Sequence, residues 1–251
     1  MTFTLLVTGA TAGFGAAITR RFVRDGHRVI AAGRRADRLQ ALHDELGPAV
    51  LPFPLDVTNA AAAAALPGSL PPGWHVDVLV NNAGLALGVA PAQQASLDEW
   101  DTMVATNVSG LIHLTHALLP AMIERDTGHI VNISSTAASY PYPGGNVYGA
   151  TKAFVTQFSL NLKADLAGTG VRVTDVEPGL VGGSEFSAIR FGGDPGKAAA
   201  VYAGTTPLSP EDIAEAVAWV VNLPPHVNVN RIELMPTCQG PGPMVIKRRP
   251  T

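Results

Sequence analysis

Tyr148 and Lys152 stand four residues apart, a spacing that brings both side chains to one face of a helix. A free phenol titrates near 10, about three units too high for a base at neutral pH. A neighbouring ammonium stabilises the phenolate and lowers that value. The pair is therefore suited to exchanging a proton with an alcohol or a carbonyl oxygen. Of the four tyrosines, Tyr148 alone is followed by lysine at this distance. Upstream, Ser135 follows an apolar run and offers a hydroxyl that could hold a substrate oxygen. Ser134 and Thr136 offer the same, and spacing does not choose among them.

A second chemistry is written in Thr8-Gly9-Ala10-Thr11-Ala12-Gly13-Phe14-Gly15. Glycines after a strand permit a tight turn and let backbone amides approach a pyrophosphate at the start of the next helix. The spacing is Gly-x-x-x-Gly-x-Gly, and its position between a first strand and a first helix is what gives it weight. At the end of the second strand a dinucleotide site that takes NAD places a carboxylate for the ribose 2′-hydroxyl. This chain has Gly33-Arg34-Arg35 instead. Two guanidinium groups suit a 2′-phosphate through forked, charge-assisted hydrogen bonds, so the expected cofactor is NADP.

These residues need a frame. Thr2 to Thr8, His27 to Ala32, Val50 to Leu55, Val76 to Val80, His129 to Ile133 and Val171 to Val176 read as buried strands. Helical patterns lie between them over Thr11 to Asp25, Ala36 to Leu46, the alanine run at 60–65, Ser96 to Arg125 and Asn146 to Ala167. Strands alternating with helices of this length predict a single-domain, doubly wound α/β fold of Rossmann type, with a parallel sheet and helices on both faces. Gly182 to Thr206 breaks the alternation. It is expected to lie near the carboxyl ends of the strands as a lid over a ligand crevice.

With 251 residues, 47% of them hydrophobic and 15% charged, the chain has the composition of one compact domain. A net charge of −3 and the absence of a basic stripe exclude a nucleic-acid partner, and the one basic cluster, Lys247-Arg248-Arg249, reads as a solvated tail. Cys238, alone, forms neither an intrachain disulfide nor a thiolate zinc site and reads as a half-buried small apolar residue. The histidines, His113 and His116 on one helix face included, lack metal-site spacing, so no metal is expected. The start reads as a buried strand and not a leader. No apolar run is long enough for a bilayer, so no membrane partner is expected and the cytoplasm is the expected location.

The combination of Thr8-Gly9-x-x-x-Gly13-x-Gly15, Asn81-Asn82-Ala83-Gly84, Asn107, Ser135, Tyr148-x-x-x-Lys152 and Pro178-Gly179 resembles the short-chain dehydrogenase/reductase family, from about residue 4 to 235. The resemblance implies a catalytic tetrad of Asn107, Ser135, Tyr148 and Lys152. Tyr148 would be the acid/base, and Ser135, thirteen residues before it, would orient the substrate oxygen. Lys152 would lower the tyrosine pKa and bind the nicotinamide ribose, while Asn107 would support a water-linked proton relay. Cofactor contacts are implied for Gly9, Thr11, Gly13, Phe14, Gly15, Arg34, Arg35, Asp56, Val57, Asn82, Ala83, Gly84, Tyr148, Lys152, Pro178, Gly179 and Val181. Phe14, the stretch Asn82 to Gly88, Glu177 to Gly183, Gly144 to Gly149 and Leu223 to Asn228 are similar to the NADP-dependent 3-hydroxy acid dehydrogenases. Those act on L-serine, L-allo-threonine or the 3-hydroxypropionate/malonic semialdehyde pair and form homotetramers. Ser134 departs from a position often held by glycine.

Such a substrate carries a carboxylate and needs a cation. Arg190, in Ser187-Ala188-Ile189-Arg190-Phe191, is the candidate beside Ser135 and Tyr148 for substrate binding, with Lys197 the alternative. Two other functions compete: an NADPH-dependent reductase of uncharged ketones or sugars, and an NADP-sensing protein that has lost catalysis. A sensor needs the phosphate turn but neither Tyr148 nor Lys152.

Overall fold

Runs of β-branched and aliphatic residues become strands buried on both faces, which a parallel sheet flanked by helices requires. A computed structural model describes residues 2–242 and the backbone of 245 and 246. The basic run Lys247-Arg248-Arg249 lies outside the described residues. The sheet is built from β1 (Thr4–Thr8), β2 (Arg28–Gly33), β3 (Val50–Pro54), β4 (Val78–Asn81), β5 (Gly128–Ile133), β6 (Val171–Pro178) and β7 (Arg231–Leu234). Its seven strands run parallel in the order β3-β2-β1-β4-β5-β6-β7. The order reverses between β1 and β4, which opens a crevice at the carboxyl ends of those two strands.

The helices are α1 (Gly13–Arg24), α2 (Ala36–Leu46), α3 (Ala60–Ser69), α4 (Leu97–Val104), α5 (Gly110–Glu124), α6 (Asn146–Asp165), α7 (Phe186–Arg190), α8 (Pro195–Ala200) and α9 (Pro210–Val221). One core, with Leu5, Val7, Phe22, Val131 and Val217, packs α1 and α9 against one sheet face. The other, with Leu6, Leu79, Ile130, Leu114, Leu162 and Val173, packs α3, α5 and α6 against the opposite face.

Three features differ from the sequence expectation. The single helix expected over Ser96 to Arg125 is two, α4 and α5, joined by a π-helical turn over Ala105–Ser109 that contains Asn107. The extra residue per turn has no signature in apolar spacing. The apolar pattern marks no strand after Val176, yet α9 and β7 complete the layer and the edge. Helix α9 starts with a capping box between Ser209 and Asp212. β7 alternates exposed and half-buried residues over only four positions, too short for a period-two signal. The segment 182–206, for which no element was expected, carries the two short helices α7 and α8.

Candidate active site

The glycine turn is forced by contact. Gly9 (φ +65) lies against Asn82, and a Cβ there would stand 2.9 Å from Asn82 Nδ2. A Cβ on Gly15 would collide with the Gly9 carbonyl. Asn82 donates to the Thr8 carbonyl at 2.7 Å, and the Thr8 hydroxyl accepts from the Asn82 and Ala83 amides at 3.0 and 2.9 Å. The turn after β1 and the loop after β4 are thereby fastened together. No side chain caps α1, and its first turn holds no acid, so its leading amides are free for an anion.

A cleft of about 330 Å³ runs from this turn to Tyr148. Of the expected residues, Gly9, Thr11, Gly13, Phe14, Arg34, Arg35, Asp56, Val57, Asn82, Ala83, Gly84, Tyr148 and Lys152 line it. Gly15, Asn107, Ser135, Pro178, Gly179, Val181 and Arg190 stand outside its wall. Gly15 supports the turn from behind, and Pro178 to Val181 is tied away through Gly179 N to the Leu234 carbonyl (2.8 Å) and Leu180 N to Gln239 Oε1 (2.7 Å). Thr106, Ser184, Glu185, Phe186 and Ile189 also line the cleft, and sequence reasoning singled out none of them.

The two arginines do different things. Arg35 donates to the Thr11 hydroxyl at 2.9 Å and to Glu185 at 2.9 Å, and Arg38 donates to the other oxygen of Glu185 at 2.7 Å. Both guanidinium groups hold the Glu185 carboxyl below the usual carboxylate range. Among the described residues Arg34 makes no hydrogen bond or ion pair. It is exposed on the cleft wall near Asp56, whose carboxyl is held low by hydrogen bonds from Thr58.

At the other end, Tyr148 and Lys152 sit side by side on α6, both buried. The Ser135 hydroxyl lies beside the Tyr148 phenol, donates to the Pro178 carbonyl (3.4 Å) and accepts from the Ala137 amide (3.1 Å). The neighbouring Ser134 donates to the Val176 carbonyl (3.3 Å), and of the two serines it is Ser135 whose hydroxyl acts on the phenol. Burial pushes the phenol up to about 12, opposed by the Ser135 hydroxyl and by the Arg190 guanidinium, which lies 5.7 Å from the ring centroid. Lys152 Nζ stands 5.9 Å from the ring centroid and donates to the Ile133 carbonyl at 2.8 Å, and burial brings its own pKa down to about 8.

Asn107 is buried, with its amide spent on protein. Nδ2 donates to the Leu85 carbonyl and to Thr151 Oγ1, and Oδ1 accepts from the Leu85 amide, at 2.9, 3.0 and 2.9 Å. It clamps the loop after β4 to α6. Gly84 lies where the two sides meet, since a Cβ there would stand 3.3 Å from both Asn107 Oδ1 and Lys152 Nζ.

The excursion 182–206 spans this cleft. Its base closes where Gly182 N donates to the Leu208 carbonyl (2.8 Å) and Leu208 N to the Leu180 carbonyl (3.0 Å). One side is held by Glu185 on Arg35 and Arg38. The other is held by Gly88 N on the Arg190 carbonyl (3.1 Å) and Arg190 Nε on the Gly88 carbonyl (3.4 Å). Phe186 lies 5.8 Å from Tyr148, ring to ring. Lys197 is exposed and paired with Asp194 at 3.2 Å, away from the cleft wall.

A family model described as short chain dehydrogenase matches residues 4–190. The chain belongs to this family. Among short chain dehydrogenases it is 64% identical over 237 residues to an NADP-dependent 3-hydroxy acid dehydrogenase of Salmonella typhi, covering 94% of this chain and 96% of that protein. It is 52% identical to a serine 3-dehydrogenase of Agrobacterium fabrum, covering 96% of each. A solved structure of serine dehydrogenase in its closed form, complexed with NADP+, superposes with a TM-score of 0.93 at 61% identity, covering 94% of this chain and 96% of that one.

The convergence at Gly84 yields a prediction for this short chain dehydrogenase. Gly84→Ala forces Asn107 or Lys152 to give way by a few tenths of an ångström. Turnover is expected to fall about tenfold while the thermal midpoint stays nearly unchanged, because a small displacement of groups beside the cleft costs rate before it costs stability. Unaltered turnover in steady-state assays would show that the two groups need no such fit.

Proposed function

We propose that the protein is an NADP-dependent oxidoreductase acting on the hydroxyl or carbonyl carbon of a small 3-hydroxy acid, of the L-serine, L-allo-threonine or 3-hydroxypropionate/malonic semialdehyde type. The observation that carries this reading is a buried phenol, with the Ser135 hydroxyl beside it, at one end of a cleft whose other end is a glycine turn beside an exposed arginine. The 64% identical relative bearing the 3-hydroxy acid name supports the substrate class.

The cleft fits the cofactor. Uncapped amides at the start of α1 and the crowding at Gly9 and Gly15 suit a pyrophosphate that approaches the backbone, with Thr11, Gly13 and Phe14 beside it. Arg34 is the guanidinium available to a 2′-phosphate, and Arg35 can join it by releasing Glu185. Asp56 and Val57 would flank the adenine. Asn82, Ala83, Gly84, Lys152, Pro178, Gly179 and Val181 would surround the nicotinamide ribose and ring. When bound, NADP supplies a hydride for carbonyl reduction or takes one from an alcohol.

Tyr148 moves the proton. With its pKa pushed up to about 12 the phenol is protonated at neutral pH, the form that donates to a carbonyl oxygen during reduction. Ser135 orients that oxygen, and Lys152 carries positive charge to the ribose side of the phenol. Asn107 fixes α6, through Thr151, and the loop after β4 against each other. Residues 182–206 act as a lid that excludes water. The family likeness also carries a homotetramer in the cytoplasm into this reading, and exposed Phe154 and Trp219 are apolar surface that assembly would cover.

Arg190 favours an acid over an uncharged ketone, because its guanidinium lies over the rings of Tyr142 (5.1 Å) and Tyr148 (5.7 Å), beside the reacting phenol. A panel of carbonyl compounds followed by NADPH absorbance tests the function. Malonic semialdehyde should be reduced faster than uncharged ketones of the same size, and faster with NADPH than with NADH. Equal rates on the uncharged compounds would move the protein to the rival class. In Tyr148→Phe, NADPH affinity should stay within about twofold while turnover drops about 10²- to 10⁴-fold, since a phenyl ring exchanges no proton. A variant that keeps a substantial rate removes Tyr148 from the chemistry. Arg190→Gln should lose at least about tenfold more rate on a hydroxy acid than on its uncharged alcohol analogue. Equal losses on both dismiss Arg190 as the carboxylate partner.

A further inference from the structure

Beneath the cleft the strand register sets Asn81, Asn132 and Asp175 side by side on β4, β5 and β6. All three are buried on the sheet face covered by α5 and α6. The first two form an ordinary amide chain. Asn81 donates to Asn132 Oδ1 (2.9 Å) and to Thr115 Oγ1 (3.1 Å), and Asn132 donates to Ser159 Oγ (2.8 Å). The third position breaks the rule. Asp175 has no accessible surface, and among the described residues neither of its oxygens makes a hydrogen bond.

A buried carboxylate that no donor reaches at hydrogen-bond geometry is unfavourable, and an amide of the same shape would cost less. Stability therefore does not explain the residue. Five groups face it: Lys152 and Thr156 from α6, Ser134 from the end of β5, Glu177 on its own strand and Arg231 on β7. Arg231 is taken, because Glu177 holds it through two bonds of 2.5 and 2.9 Å. Lys152 is the cation left for Asp175. The ammonium in turn bonds only a neutral carbonyl, that of Ile133. Burial lowers its pKa to about 8, and Asp175 is the group that works against this. Burial raises the Asp175 carboxyl to about 6, with Glu177 adding to the rise and the nearby Ser134 and Thr156 hydroxyls opposing it.

We propose that Asp175 is a positioning residue for the reaction, a buried counter-charge whose task is to keep Lys152 an ammonium beside Tyr148. It touches neither substrate nor cofactor and acts through Lys152. The proposal rests on the reading of Lys152 given above.

Asp175→Asn keeps the shape and removes the charge. The chain has four lysines, so ¹³C-labelled lysine side chains give a small set of NMR resonances, and Lys152→Arg identifies the one from Lys152. In the unaltered protein Lys152 should titrate near 8, and in Asp175→Asn about one pH unit lower or more. The alkaline limb of NADPH-dependent reduction should move to lower pH by the same amount. In the Lys152→Arg background, where the cation does not titrate, Asp175→Asn should leave that limb in place. A Lys152 titration that stays put in folded Asp175→Asn overturns the proposal, whatever happens to the rate. A titration that moves while the limb does not supports the charge pairing and instead defeats the catalytic reading of Lys152. Should the asparagine variant fail to fold, Asp175→Ser carries the same measurement with the same two outcomes.

Discussion

Helix α6 is laid with a polar stripe inward. Tyr148, Lys152, Thr156 and Ser159 recur along one side and are all buried against the sheet. Desolvation is the constraint this imposes, because the charged form of any ionisable group on the stripe loses its water. The same burial that keeps the phenol protonated works to strip the proton from the lysine. Opposite effects on two groups a single turn apart require separate partners. Ser135 and Arg190 serve the phenol, and Asp175 faces the ammonium. The site is thus a set of local corrections to one unfavourable act of burial.

The excursion 182–206 obeys a different balance. Its base is fixed by backbone hydrogen bonds, whereas its flanks are held by Glu185 on Arg35 and Arg38 and by Arg190 on Gly88. The arginines and the glutamate keep 39–46% of their side-chain surface, and pairs this exposed contribute roughly 0–1 kcal/mol each. A segment secured at the base and only lightly at the rim can be drawn closed or released at small cost, which suits a cover over a ligand cleft. Its ion pair also draws on Arg35, so the excursion and the glycine-turn end of the cleft share one cation.

Much of this was legible in the order of residues. Long apolar runs separated by amphipathic stretches have one economical arrangement, a parallel sheet between helices, and the observed sheet follows it. The glycine turn declares itself because only glycine tolerates the crowding between Gly9, Gly15 and Asn82. Tyr148 and Lys152 were readable because helical spacing is a local property. Where signals were absent, the physics was not local. A π-helical turn at Asn107 leaves no trace in apolar spacing, and a four-residue edge strand is too short to show its period. Helix α9 follows the excursion, where the alternation of elements had already broken.

The linear chain therefore determined the elements, their handed connection and the residue types available for proton exchange and phosphate binding, because these depend on period, on turns and on neighbours in sequence. Tertiary structure alone decided which of those groups act on one another. It set Arg35 against Glu185, 150 residues away. It brought Ser135 and Arg190 to the phenol, and set Asp175 beside Asn132 by strand register, where its charge acts on Lys152. Electrostatic effects depend on distance and on lost solvent, and both exist only once the chain has closed on itself.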